Sequence, residues 1–156
     1  MLWRSSQLTL AFPVIVLELG LLGVLYLRLG IGLGLGSPLE TWLVEIPVSL
    51  FLVCANLAFI VNLAAMSAFL QVGNGILKSD AWVFILIDFA AIPAAFICLK
   101  RMDIAYALGM LGALAQIYFR PDVTALLRNT ALSAQVLIAL ALMGGWYLRK
   151  QRFNNV

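Results

Sequence analysis

Five apolar runs, each closed by charged or strongly polar residues, organise the chain: Thr9–Leu27, Ile46–Leu70, Ala81–Leu99, Ile104–Phe119 and Ala131–Leu148. A helix needs roughly 20 apolar residues to cross a hydrocarbon core of about 30 Å. Four runs meet that length, and the fourth is short but free of charge between Asp103 and Arg120. The pattern predicts an all-α integral membrane bundle of about five transmembrane helices, folded as a single domain over residues 1–156. Lys100–Asp103 is long enough only for a tight helical hairpin, so the helices on either side of it are expected to be antiparallel neighbours.

Lys and Arg placement gives the orientation. With five spans, Arg4, Lys78, Arg120 and Arg128 share one side, and Arg28, Lys100, Arg101, Arg149, Lys150 and Arg152 share the other. The richer side is expected to be cytoplasmic, which puts the C-terminus inside and the N-terminus outside a cell (inner or plasma) membrane. Aromatics sort the same way, with Trp3, Trp82 and Tyr118 at one interface and Tyr26, Trp42, Tyr106, Trp146 and Tyr147 at the other. Trp146, Tyr147, Arg149, Lys150 and Arg152 read as the membrane anchor of the last helix, cations reaching to anionic headgroups. The first helix follows a short segment with one Arg4 and has no Ala-x-Ala site after it, so it reads as an uncleaved span and not as a signal peptide.

Composition agrees. The chain is 64% hydrophobic and 11% charged, against about a quarter charged in soluble domains. Its net charge is only +3 and its basic residues lie between the apolar runs, so no nucleic-acid surface is expected and the lipid bilayer is the first partner. Histidine is absent, which removes the commonest metal ligand and neutral-pH proton shuttle. Cys54 and Cys98 lie far apart inside predicted spans and read as small apolar filler. No Ser/His pair, HExxH or Cys/His cluster occurs, so no catalytic residue, metal site or cofactor is expected. The glycine-rich Gly30–Gly36 stretch reads as a flexible interfacial loop and carries no phosphate cradle.

Two carboxylates stand inside the apolar runs, Glu18 in the first and Asp88 in the third. An acid at that depth costs about 2.5–3.5 kcal/mol on insertion scales and is kept where a partner, water or a proton offsets it. Both are expected to face protein. Gly20 and Gly23 follow Glu18 and are expected to let another helix approach closely. Pro93 leaves the Phe89 carbonyl without its helical donor beside Asp88. The candidate polar partners are Asn56 and Asn62 of the second helix and Gln116 of the fourth. Asn56 and Asn62 are about 120° apart around the helix and cannot serve one point, whereas Ser49 and Asn56 share a face, the better one to meet a carboxylate. Ala105, Gly109 and Ala113 form a small-residue stripe expected to pack within the molecule. Lys100, Arg101 and Asp103 read as a solvated turn.

Glu18, together with Lys100-Arg-Met-Asp-Ile-Ala-Tyr-Ala-Leu-Gly-Met-Leu-Gly, resembles parts of the small multidrug-resistance transporters. That resemblance implies a proton- and cation-binding role for Glu18 alone. It is local: the glycine- and tryptophan-bearing third helix of that family has no counterpart here, and a fifth span is added. From the residues themselves, the expected function is a non-enzymatic small membrane subunit with a structural or assembly role, packing against partner membrane proteins or copies of itself. The alternative is a small proton-coupled transporter or ion-conducting oligomer using Glu18 and Asp88.

Overall fold

The computed structural model describes the backbone of residues 2–33, 37–69, 79–121 and 123–154, and side chains within 11–33, 37–66, 84–121 and 123–151. It is an all-α membrane bundle of α1 (Leu2–Arg28), α2 (Ile46–Phe69), α3 (Ser79–Arg101), α4 (Ile104–Phe119) and α5 (Ala125–Asn154). Ala11–Arg28, Pro38–Met66 and Ala125–Gln151 are long and apolar enough to cross a membrane, and Ile104–Phe119 is a shorter apolar helix.

Several ends differ from the sequence reading, and α1 already begins at Leu2. The second helical segment begins well before Ile46, with a short α-turn at Pro38–Glu40 and a π-helical turn at Thr41–Glu45. Ser37 caps it, accepting from Glu40 N, with Pro38 at the first position, where its missing N–H costs nothing. Pro47 offers no N–H to the Leu43 carbonyl, and the wider π spacing, with Ile46 N bonded to Thr41 O, falls just before it. The last helix starts at Ala125 and continues through Arg152 to Asn154. Its polar ends lengthen it beyond the apolar run.

α5 packs on α3 and α4, and α2 packs on α1, α3 and α4. The α3/α5 contact is built from small side chains, with Ala91, Ala94 and Cys98 buried on α3 and Ala131, Ala134 and Ala141 on α5. Small residues allow close backbone approach in lipid, where packing and not water exclusion drives association. Gly145 marks the closest point, since a Cβ there would lie 2.7 Å from the Cys98 carbonyl oxygen. α1 stands at the edge. Only 6% of its Ala11–Arg28 window is buried, and it makes no close backbone contact with α3 among the described residues.

That edge position corrects the expectation for Glu18. Its side chain is exposed on the outer face of α1, together with Val14, Leu21 and Leu25 at helical spacing. Gly20 and Gly23 likewise meet nothing within 4 Å of an added Cβ, so neither is a packing contact within this chain. The Gly30–Gly36 expectation changes as well. Ile31 is buried, Gly32 sits at φ +80° against the Arg101 carbonyl, and the start of the connection is pinned to the bundle. Residues 34–36 and the side chains of Trp3, Trp82 and Arg152 lie outside what is described.

Candidate functional site

The polar centre of the molecule is Asp103. Met102 and Asp103 alone connect α3 to α4, and Met102 takes a left-handed φ of 54° to make the turn. Asp103 is the N-cap of α4, its Oδ1 accepting from Tyr106 N at 3.0 Å. Its Oδ2 accepts from the Tyr26 hydroxyl at 2.9 Å and the Ser49 hydroxyl at 2.5 Å. Tyr106 continues the chain of bonds, its oxygen accepting from Asn56 Nδ2 at 3.0 Å. The carboxylate, at 6% exposure, therefore ties together the end of α1, the inner face of α2 and the α3–α4 hairpin. This corrects the reading of Asp103 as part of a solvated turn. A two-residue connection cannot lift its second residue clear of the packed helices, and as a helix cap the residue must point back at the backbone.

Tyr26 and Tyr106 are corrected with it. Both are buried, at 2% and 1% exposure, and their hydroxyls belong to this network and not to the headgroup interface. Arg101 covers the network from outside. Its guanidinium lies 5.2 Å from the Tyr26 ring centroid and donates to the Ile31 carbonyl at 3.0 Å. It forms no ion pair with Asp103, although the two are two positions apart.

The other predicted polar residues do not converge. Asp88 is half-buried on α3 and has no hydrogen-bond partner among the described residues. Asn62 donates to Ala58 O of its own helix at 2.8 Å, and Gln116 is exposed. None of Asn56, Asn62 or Gln116 serves either intramembrane acid. Ser49 and Asn56 do share a face that meets a carboxylate, but it is Asp103. The missed signal was an Asp placed immediately before an uncharged apolar run, the usual mark of a helix start. Along the small-residue stripe, Gly109 fits against Val53 of α2, with Ala105 and Ala113 half-buried beside it. Trp146, Tyr147, Arg149 and Lys150 are exposed at the end of α5, with Lys150 Nζ 5.4 Å from the Trp146 ring.

Two cavities meet at the Asp103 network. The first, of about 430 Å³, is a slot between α1 and α3, floored by Leu52, Asn56 and Phe59 of α2. Leu19, Gly23 and Leu27 form one wall; Phe89, Pro93, Phe96 and Ile97 form the other. One end is made by Tyr26, Tyr106, Lys100 and Arg101. Toward the opposite end Phe12, Phe59 and Phe89 follow one another with ring centroids 5.7 and 6.3 Å apart. Leu27, Phe89 and Phe96 are more than half exposed, so the slot opens sideways into the bilayer. The second cavity, of about 520 Å³, lies behind Ser49 and Asp103, under the π-helical turn and Trp42. Among the described residues no group of three His, Cys, Asp or Glu side chains is placed to hold a metal ion.

Compared with known families, residues 1–144 match the family model described as TSPO-like protein. No curated protein and no solved structure matches the chain significantly. The match spans nearly the whole chain, whereas the likeness to small multidrug-resistance transporters rests on one residue and one short segment.

Proposed function

For a chain that belongs to the TSPO-like family, we propose binding of a predominantly apolar ligand, drawn from the bilayer into the slot between α1 and α3. The slot supports this reading directly. Its volume falls in the range of roughly 300–1,000 Å³ typical of small-molecule sites, and its walls are apolar and aromatic with few polar groups. Those groups are gathered at one end. The ligand we infer has a ring- or chain-like apolar body and a single polar end, anionic or rich in acceptors, directed at Arg101 and Lys100. We read the site as binding without chemistry, because both Asp103 oxygens are engaged by hydroxyls and a backbone amide. By the positive-inside rule the polar end, together with the C-terminus, faces the cytoplasm of a cell membrane.

The test uses space the slot already holds. Gly23 lines it and has nothing within 4 Å of an added Cβ, so Gly23→Leu fills the slot without displacing a helix. Protein in nanodiscs titrated with dansyl-labelled undecanoic acid is expected to bind saturably, and Gly23→Leu to weaken binding about tenfold or more. Equal binding by both proteins rules the slot out.

A second reading, packing against another membrane protein, is favoured by one observation: Glu18 is exposed on a face of α1 that no described residue covers. An ionisable side chain at that depth almost always finds a polar partner. Glu18→Leu is expected to abolish a cross-linked species of higher mass in native membranes. Its persistence at full yield counts against a partner at this face.

A further inference from the structure

A third, smaller recess lies at the basic end of the bundle, sharing Lys100 and Arg101 with the end of the slot, and we propose that it holds the phosphate of an anionic phospholipid. Its volume is about 210 Å³, and Lys100, Arg101 and Arg149 contribute to its lining. Two glycines make it possible. At Gly32 an added Cβ would stand 2.5 Å from the Arg101 carbonyl oxygen, and at Gly145 2.7 Å from the Cys98 carbonyl oxygen. Without those contacts the α1–α2 connection and α5 could not close on the end of α3, and the cations of α3 and α5 would stand apart.

No described carboxylate balances the charge in the recess. Among the described residues no carboxylate forms an ion pair there, and Asp103, two positions from Arg101, faces the hydroxyls of Tyr26 and Ser49. Arg149 Nη2 reaches only the Leu33 carbonyl, at 3.5 Å. The C-terminal carbonyls of α3 offer about half a negative charge, well short of three cations. The surroundings identify the anion. Trp146 and Tyr147 are exposed on the same end of α5, as aromatics at headgroup depth are, and the half-exposed Leu99 and Leu148 flank the recess toward the acyl chains. A phosphate that arrives with acyl chains attached fits both features, and basic pockets between helices on the cytoplasmic side take such headgroups.

Lys100 and Arg101 border the slot as well, so Arg149, which lines the recess and not the slot, separates the two readings. Full-length protein from nanodiscs of equal phosphatidylglycerol and phosphatidylcholine is released into mild detergent, and retained lipid is counted by native mass spectrometry. Phosphatidylglycerol is expected to be enriched. Lys100→Gln and Arg149→Gln, both changes of exposed side chains, are each expected to cut that enrichment about fivefold, the effect of one cation near a membrane surface. Arg149→Lys is expected to retain most of it. Arg28→Gln removes a cation of the same end that does not line the recess, and Gly23→Leu fills the slot; neither is expected to change the enrichment. The proposal fails if phosphatidylcholine is retained equally, or if Arg28→Gln acts as strongly as Arg149→Gln, which would mean diffuse surface attraction. It fails too if soluble glycerol 3-phosphate displaces the lipid, which would mark a site for free phosphate.

Discussion

Asp103→Ala is expected to lower stability by about 4–5 kcal/mol, the largest loss from any single substitution outside the apolar core. One side chain satisfies three buried donors: the Tyr26 hydroxyl, the Ser49 hydroxyl and the Tyr106 amide. Losing the helix cap alone costs about 1 kcal/mol, and each buried donor left without an acceptor costs about 1–3 kcal/mol. Relaxation of Ser49 toward a backbone carbonyl of its own helix holds the sum below the arithmetic maximum. Asp103→Asn keeps one acceptor oxygen for three donors, and about half of the loss is expected. Reversible unfolding in mixed micelles with increasing SDS measures both variants. A loss below 1 kcal/mol for Asp103→Ala would show that the network does not join the helices as described. Tyr26→Phe and Ser49→Ala each remove a donor and leave Asp103 with its remaining partners, so smaller losses are expected from them.

The second large effect is expected at Gly145. Gly145→Ala places a methyl group 2.7 Å from the Cys98 carbonyl oxygen and 3.1 Å from that of Leu99. Both neighbours are backbone atoms of α3, so the overlap is relieved only by moving α5 away from the alanine-lined interface. A cost of about 3 kcal/mol is expected, at the upper end for overpacking a well-filled interface. Gly20→Ala and Gly23→Ala are the controls. Each meets open space, and replacing glycine inside a helix gains about 0.5–1 kcal/mol. The same unfolding assay is expected to give opposite signs for Gly145→Ala and Gly23→Ala. Equal destabilisation at both would mean that the slot beside Gly23 is not open.

The helices were readable because lipid imposes a local rule. A backbone in hydrocarbon must satisfy its own hydrogen bonds, so each apolar run has to be a helix. The Ile104–Phe119 run agreed with its helix to the residue, because Asp103 caps one end and Pro121 follows the other. The Pro38–Glu45 extension was not seen, because Thr41, Glu40 and Glu45 break the apolar run while leaving the helix intact at the interface.

Which polar residues meet was decided by packing. Glu18 and Asp88 drew attention because an acid inside an apolar run is expensive wherever it points, but depth along a helix says nothing of azimuth. α1 proved to be the edge helix, and Glu18 turned outward with it. Asp103 sits at the end of an apolar run, where an acid is unremarkable, and only the two-residue turn and the approach of α1 and α2 enclose it. Ser49 and Asn56 were placed on one face by their spacing alone. The acid across from them was set by which helices are neighbours.

By itself, the sequence determined a helical membrane protein, the extent of its apolar helices and the concentration of cations at one end. Those properties depend on transfer energies summed along a segment and on backbone hydrogen bonds closed within it. Only the tertiary structure decided that α1 and α3 stand apart over a slot, that Asp103 is the shared acceptor of three segments, and that Gly32 and Gly145 let the basic end close. These depend on contacts between residues tens of positions apart, which fit by shape, and shape between helices leaves no periodic trace in a single chain.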